Sequence, residues 1–347
     1  MNRADLTLRP YVDFDYPRLL ETPLAGEWPA GSGFFRVEEL PLYPFSGEGE
    51  HAALTVEKRD VSTRELALSV AKALGVPASA VGYAGMKDKD SVSVQCFTVM
   101  SVDDEGVAKA FEALGAKVLA RSRHKNKLRL GHLAGNKFVI GLRGGDEKTA
   151  DEVLRKLSEK GVPNYYGPQR FGSGGDNAAE ALRLMKSKKI GRLGRWKKDL
   201  LVSSLQSFIF NEVLARRVER GTLFTALSGD VLQKEDSGGI FICEDVEADQ
   251  KRLDLFEISP TGPMPGKKMK APVGEVAEAE AEVLAELGIA PELFSGETGT
   301  RRELRAKVIY HGVEKTPVGV ELSFSCPPGV FATSVVREIA SSGAKRV

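Results

Sequence analysis

The segment of this chain best suited to covalent or general-base chemistry is a glycine-containing turn with an acid between two lysines. Gly82-Tyr83-Ala84-Gly85-Met86-Lys87-Asp88-Lys89-Asp90 runs straight into Ser91-Val92-Ser93-Val94-Gln95-Cys96-Phe97-Thr98-Val99, which alternates like a strand. An aspartate in such a turn is expected to be ionised, held by nearby positive charge and presented to solvent rather than lost in a core. Asp88 is therefore the candidate nucleophile or base. A retaining glycosidase would need a second carboxylate across a sugar site, and Asp90 is a poor candidate because near neighbours on a turn rarely face each other.

The charge pattern suggests what such a carboxylate could act on. In Arg121-Ser122-Arg123-His124-Lys125-Asn126-Lys127-Leu128-Arg129 every odd position is basic. An extended backbone would aim Arg121, Arg123, Lys125, Lys127 and Arg129 at one face and Leu128 and Leu130 at the other. A phosphate backbone lying across five like charges would relieve their repulsion and release counterions. The plainer reading is an edge strand kept from aggregating by its cations. A second basic run, Arg183 to Lys198, contains no acid among its charged residues and includes Trp196. Together the two runs favour a nucleic-acid partner over a merely solvated face.

Gly135-Asn136-Lys137-Phe138 opens a strand. Phe138 could stack on a nucleobase, or belong to the core on a face shared with Ile140 and Leu142. Asn164-Tyr165-Tyr166-Gly167-Pro168-Gln169-Arg170-Phe171-Gly172 suits RNA contact or a packed loop at a domain junction. Other motifs fail. Gly262 to Lys268 is one residue short of a P-loop and carries two prolines, and no G-x-G-x-x-G occurs at Gly172 to Gly175. The four histidines lack metal-ligand spacing, and lysines around Asp88 and Asp90 argue against a divalent ion. The expectation is chemistry without cofactor or metal.

The elements that must position these residues can be read along the chain. Residues 1–34 are proline-rich and irregular, and Phe35 to Leu40 reads as a strand. Ser62-Thr63-Arg64-Glu65 is a capping box opening a helix that Gly75-Val76-Pro77 stops. Further helices are predicted from Asp104 to Leu114, Thr149 to Lys160, Leu201 to Val218 and Glu275 to Leu287, with strands at Val92 to Met100 and Val318 to Phe324. Mixed elements without regular βαβ spacing favour α+β. The texture shifts after Gly161, so 161–311 reads as a possible inserted domain.

The charges nearly cancel, 49 basic against 48 acidic, so an RNA surface must come from local clustering. Cys96, Cys243 and Cys326 are far apart and form no C-x-x-C, which fits a reducing compartment. Without an apolar leader or membrane span, the reading is a soluble, cytoplasmic protein, and nothing demands more than a monomer.

Eight collinear segments resemble the TruD family of tRNA pseudouridine synthases: Phe35 to Glu39, Gly47 to His51, Gly82 to Asp88, Arg123 to Gly131, Gly135 to Phe138, Asn164 to Gly172, Gln206 to Asn211 and Phe331 to Glu338. The resemblance implies conversion of a tRNA D-arm uridine, at the position usually numbered thirteen, to pseudouridine without a cofactor. It implies a V-shaped α+β molecule. A circularly permuted pseudouridine-synthase domain with a mixed, mostly antiparallel sheet (1–160 and 312–347) would carry an inserted α/β TruD domain (161–311). By motif position Asp88 is implied as the catalytic aspartate, Phe138 as the base-stacking aromatic, Asn136 as its companion and Phe35 as a wall residue. Arg121, Arg123, Lys125, Lys127, Arg129, Gln169 and Arg170 are the expected substrate contacts. One position departs: the family usually has Lys or Arg six residues before Phe35, and here that residue is Pro29. Either Arg18 or Arg36 reaches in, the shortened Gly26 to Gly33 stretch shifts the register, or the site lacks that partner.

Overall fold

The computed structural model describes residues 16–20, 26–101 and 103–340. It divides into two compact units. The first comprises Thr22–Ser158, Val308–Ala332 and Ile339–Val347 so far as described. It opens with β1 (Gly26–Glu27), β2 (Phe35–Pro41) and β3 (His51–Arg59). Ser62 caps α1 (Thr63–Leu74): its side chain accepts from the Glu65 amide while the Glu65 carboxylate returns to the Ser62 amide. Gly75 ends that helix in the left-handed region, at φ 66°. There follow β4 (Val81–Tyr83), β5 (Val92–Met100), α2 (Asp104–Glu112), β6 (Lys117–His124), β7 (Leu133–Gly144) and α3 (Glu147–Lys160).

The chain then builds the second unit, Glu159–Lys307 with Thr333–Glu338 and the described part of Met1–Glu21. Its elements are β8 (Val162–Pro163), α4 (Asn177–Lys186), α5 (Arg195–Glu219), β9 (Val231–Lys234), β10 (Ile240–Ile242), α6 (Val246–Asp254), β11 (Ile258–Met264), α7 (Gly274–Glu286), β12 (Thr300–Glu303) and β13 (Arg305–Ala306). The return to the first unit supplies β14 (Ile309–Thr316) and β15 (Gly319–Cys326), and α8 (Ala332–Ile339) comes last.

In the first unit the sheet order is β14-β15-β7-β2-β5-β3-β6, with β1 on β7 and β4 on β5. Among the described strands only β2 and β5 pair in parallel, so the sheet is mixed and mostly antiparallel. One row crosses five strands: Lys58 opposes Ser93, Ser93 opposes Val37, Val37 opposes Phe138 and Phe138 opposes Phe324. Paired residues point to the same side of a sheet, so these five side chains share one face. Leu66, Val70, Val107 and Phe111 of α1 and α2 pack there with Leu54, Val56 and Phe97.

The second unit packs α4, α5 and α7 through Leu182, Leu201, Leu205, Ile209, Val283 and Leu287, with a sheet in the order β10-β9-β11-β12. The would-be phosphate loop at Gly262 lies in β11, a strand buried along its whole length. Bidentate pairs, Arg217 with Asp230 and Arg301 with Glu280, fix α5 and α7 against this sheet. No helix among the described residues is long and apolar enough to cross a membrane.

Glu303 of β12 is half-buried, and desolvation, then repulsion from Glu235, pushes its carboxyl up to about 7 against the pull of Arg302 and Arg305. The folded state therefore holds a proton that the unfolded chain has released. This group's contribution to stability falls as pH rises from the ordinary carboxylate range through about 7. Glu303→Gln keeps the oxygen that accepts from Gln233. Thermal melts should show it more stable than wild type at pH 8 and little changed near pH 4.5; equal differences at both would contradict the assignment.

Candidate active site

Asp88 stands on an exposed turn between β4 and β5. That turn is pinned from beneath at three successive places. The Gly85 carbonyl accepts from Gln95 Nε2 at 3.2 Å, and the Lys87 amide donates to Thr63 Oγ1 at 2.8 Å. Thr63 Oγ1 in turn donates to Gln95 Oε1 at 2.8 Å, so the first turn of α1 and the middle of β5 hold the segment together. The Asp88 carbonyl accepts from Ser91 Oγ at 2.8 Å and Lys58 Nζ at 3.4 Å. A Cβ at Gly85 would lie 2.6 Å from Lys87 Nζ and 3.1 Å from Glu39 Oε2, so a side chain there would have to shift the ends of that buried pair.

The two flanking lysines do not form the cationic cradle that the sequence suggests. Lys87 turns inward and is buried, its Nζ 2.9 Å from Glu39 Oε2, while Glu39 Oε1 accepts from the Cys96 amide at 3.2 Å. Lys89 is exposed and lies 3.8 Å from Glu65. A cation beneath the turn is Lys58, which reaches the Asp88 carbonyl and which the sequence reading missed. Its signal is the inward series Ala52, Leu54, Val56, Lys58 on β3, where the alternation calls for an apolar residue. As for the two arginines weighed at the Pro29 departure, Arg18 acts on Glu338 in the second unit, and Arg36 is exposed on β2 at a position alternating with Phe35 and Val37.

Phe35 and Phe138 lie on the same sheet face. They stack at 6.1 Å and 10°, with Trp28 edge-on to Phe35 and Phe324 tilted against Phe138. Phe138 is 6% exposed and shares its buried face with Ile140 and Leu142, as core packing requires. Asn136 is directly opposite Glu39 across β2 and β7, and opposite Cys326 across β7 and β15. Its Oδ1 is buried without a hydrogen-bond partner among the described residues. An orphaned buried acceptor is costly unless a donor from outside meets it.

The proposed five-cation strand needs correction. β6 ends at His124, so Lys125, Lys127 and Arg129 lie in the following loop rather than on one extended face. Acids of α2 and a neighbouring loop take up much of the charge: Arg121 pairs with Glu105, Arg123 with Asp104, and Lys125 with Glu48 at 2.6 Å. Lys127 donates to the Ser79 carbonyl, Leu128 is buried, and Arg129 and Leu130 are exposed. The repulsion that seemed to call for a phosphate backbone is largely relieved within the protein.

Gln169 and Arg170 belong to the second unit. Gln169 is exposed, whereas Arg170 is half-buried, donates to Ser207 Oγ at 3.0 Å and lies over the Tyr166 ring. The aromatic segment around them is chiefly packed: Asn164, Tyr165 and Phe171 are buried. The second basic run is the more open one. Lys186, Lys188, Lys189, Arg192 and Arg195 are exposed, and Trp196 beside them is 77% exposed. Among the described residues only its C-terminal members meet acids, Lys197 with Glu180 at 3.6 Å and Lys198 with Glu297 at 2.8 Å, apart from Arg195 near Asp199 at 3.8 Å.

Known proteins share both the sequence and the fold. A family model described as tRNA pseudouridine synthase D (TruD) matches residues 30–178 and 186–339. The tRNA pseudouridine synthase D of Anaeromyxobacter dehalogenans (strain 2CP-1) is 42% identical over 320 residues, 90% of this chain and 91% of its own. A protein of the same name from Thermus thermophilus is 41% identical over 339 residues, covering 96% of this chain and 94% of its own. A solved Methanosarcina mazei structure carrying the TruD name superposes with a TM-score of 0.72 over 93% of this chain and 95% of that one, at 23% identity, a likeness of fold.

Proposed function

This chain belongs to the tRNA pseudouridine synthase D (TruD) family, and from that premise we propose that it isomerises a D-arm uridine of tRNA, at the position numbered thirteen, through Asp88. The observation that carries the assignment is the Asp88 turn, exposed at its tip and hydrogen-bonded from below to α1, β3 and β5. A side chain presented this way reaches an outside substrate while its backbone stays fixed.

Pseudouridylation breaks the N1–C1′ bond, turns the uracil and joins C5 to C1′. N1 gains a proton and C5 loses one, so the sum is an isomerisation. Asp88 either adds to C1′ as the base departs or takes the C2′ proton, and each route uses one carboxylate oxygen. The orphaned Asn136 Oδ1 is an acceptor suited to the uracil imide N–H. Phe35 and Phe138, stacked on each other on the buried sheet face, are by motif position the aromatic wall against which the detached ring would turn. The base must leave its stack to arrive here, and gripping a distorted RNA arm demands cationic surface.

The exposed run from Lys186 to Trp196 is the surface in the second unit best fitted to that grip. It combines cations at Lys188, Lys189 and Arg192, without close acid partners among the described residues, with an open indole for stacking. Lys188→Glu/Arg192→Glu should weaken tRNA binding at low salt and flatten the log K against log salt slope by roughly one per cation removed. Filter binding across salt concentrations checks this, and an unchanged slope would take the surface out of the RNA footprint. The function itself is tested by incubating the purified protein with unmodified tRNA transcript and following tritium release from 5-tritiated uridine. Release is the expected outcome.

A further inference from the structure

We propose that Lys58 is a positioning residue for this reaction, its buried ammonium tying the end of β3 to the backbone of the Asp88 turn so that the turn stays fixed when a polyanionic substrate docks. The inference deepens the reading of the Asp88 site and rests on it.

Three observations lead there. Lys58 occupies an inward position on β3 and is 1% exposed, where its alternation partners Ala52, Leu54 and Val56 are apolar. A lysine so placed costs desolvation energy that a leucine or methionine would not, so packing alone gives no reason for it. Its Nζ donates at 2.6 Å to the Val61 carbonyl, at the approach to α1, and at 3.4 Å to the carbonyl of Asp88 itself. One ammonium thus ties the end of β3 to the residue whose side chain is exposed above it. The charges that face it are Asp88 and Glu65, which attract, and Lys87, which repels; Asp88 is the strongest of the three.

The physical need is specific to an RNA substrate. Phosphates of a docking RNA attract any exposed cation near the site, so a lysine that is to hold the turn must lie out of their reach. A surface lysine would be drawn to the phosphates instead. A buried ammonium, held by two carbonyls, stays with the turn. In a site partly closed by RNA its field is screened less than that of a solvated cation.

The same burial gives the assignment a signature. Desolvation lowers the Lys58 ammonium to about 8, with Asp88 the first opposing influence. The group is charged below that pH and loses its proton as pH rises through it. Turnover on bound tRNA should therefore fall above about pH 8. Lys58→Arg keeps a charge that does not titrate in this range, so it should remove or displace the alkaline limb whatever its absolute rate. Lys58→Met should lower single-turnover rate on the order of 100-fold at pH 7 with tRNA affinity nearly unchanged.

The experiment is the pH profile of single-turnover tritium release between pH 6 and 10 for wild type, Lys58→Arg and Lys58→Met, alongside tRNA binding and thermal melts. A limb near pH 8 in wild type that moves or vanishes in Lys58→Arg supports the proposal. A wild-type profile flat through pH 9, or one that Lys58→Arg reproduces unshifted, overturns it even if both variants are less stable. If Lys58→Met does not fold, the arginine profile decides. Wild-type protein that releases no tritium at any pH would instead sink the functional assignment, so the two failures are separable.

Discussion

Asp88→Asn should reduce single-turnover tritium release from 5-tritiated uridine in tRNA by at least about 10⁴-fold, while tRNA affinity changes by less than about threefold. The asymmetry follows from the geometry. The turn is held through the Gly85 carbonyl, the Lys87 amide and the Asp88 carbonyl, none of which the substitution alters. The Asp88 side chain projects from the exposed tip of that turn, where the proposed chemistry assigns it the reactive role. Rapid-quench release and filter binding on the same preparations separate the two quantities. A variant with wild-type release would remove Asp88 from the mechanism.

The largest stability effect is expected one residue earlier. Lys87→Met should cost about 3–5 kcal/mol, because it strands Glu39 as an uncompensated charge at a site where both side chains are almost inaccessible. Glu39 also accepts from the Cys96 amide, so it cannot swing out to solvent without breaking the β2–β5 neighbourhood. Pairing the change with Glu39→Gln removes the stranded charge and should recover a large part of the loss. Urea unfolding of the two single variants and the double variant forms the cycle that measures this. Near-additive losses would show that the pair is not coupled. Because the Lys87 amide and Asp88 share the turn, the single variant should also lose activity beyond its loss of folded protein.

Much of the scaffold is legible in the chain itself. The capping box at Ser62 and the stop at Gly75 depend on local hydrogen bonds, so a short window of sequence contains them. The α3 stripe through Ala150, Leu154 and Leu157 and the shared face of Phe138, Ile140 and Leu142 are equally local periodicities, whereas β5, paired on both sides, is buried on both faces along most of its length. The exposure of Asp88 follows from turn chemistry.

What is not legible is non-local. Glu39 and Lys87 are 48 residues apart, and nothing in either neighbourhood announces that they bury each other. The basic stretch from Arg121 to Arg129 reads as an unbalanced strand because its acids, Asp104 and Glu105, sit on a helix whose distance from it the sequence does not give. The strand also stops at His124, and the alternation of charges does not mark that end. Lys58 escapes notice because a lysine near a strand end ordinarily snorkels to solvent, and only the pairing register shows it facing the helices.

The central claim is that Asp88, in the first unit, converts one D-arm uridine of tRNA. Its most direct measurement is nucleotide-resolution pseudouridine mapping of an unmodified tRNA transcript after incubation with purified wild-type protein or Asp88→Asn. The account predicts one new pseudouridine, in the D arm, with wild type and none with the variant. A transcript left unmodified by wild type, or modified equally by both proteins, would contradict it.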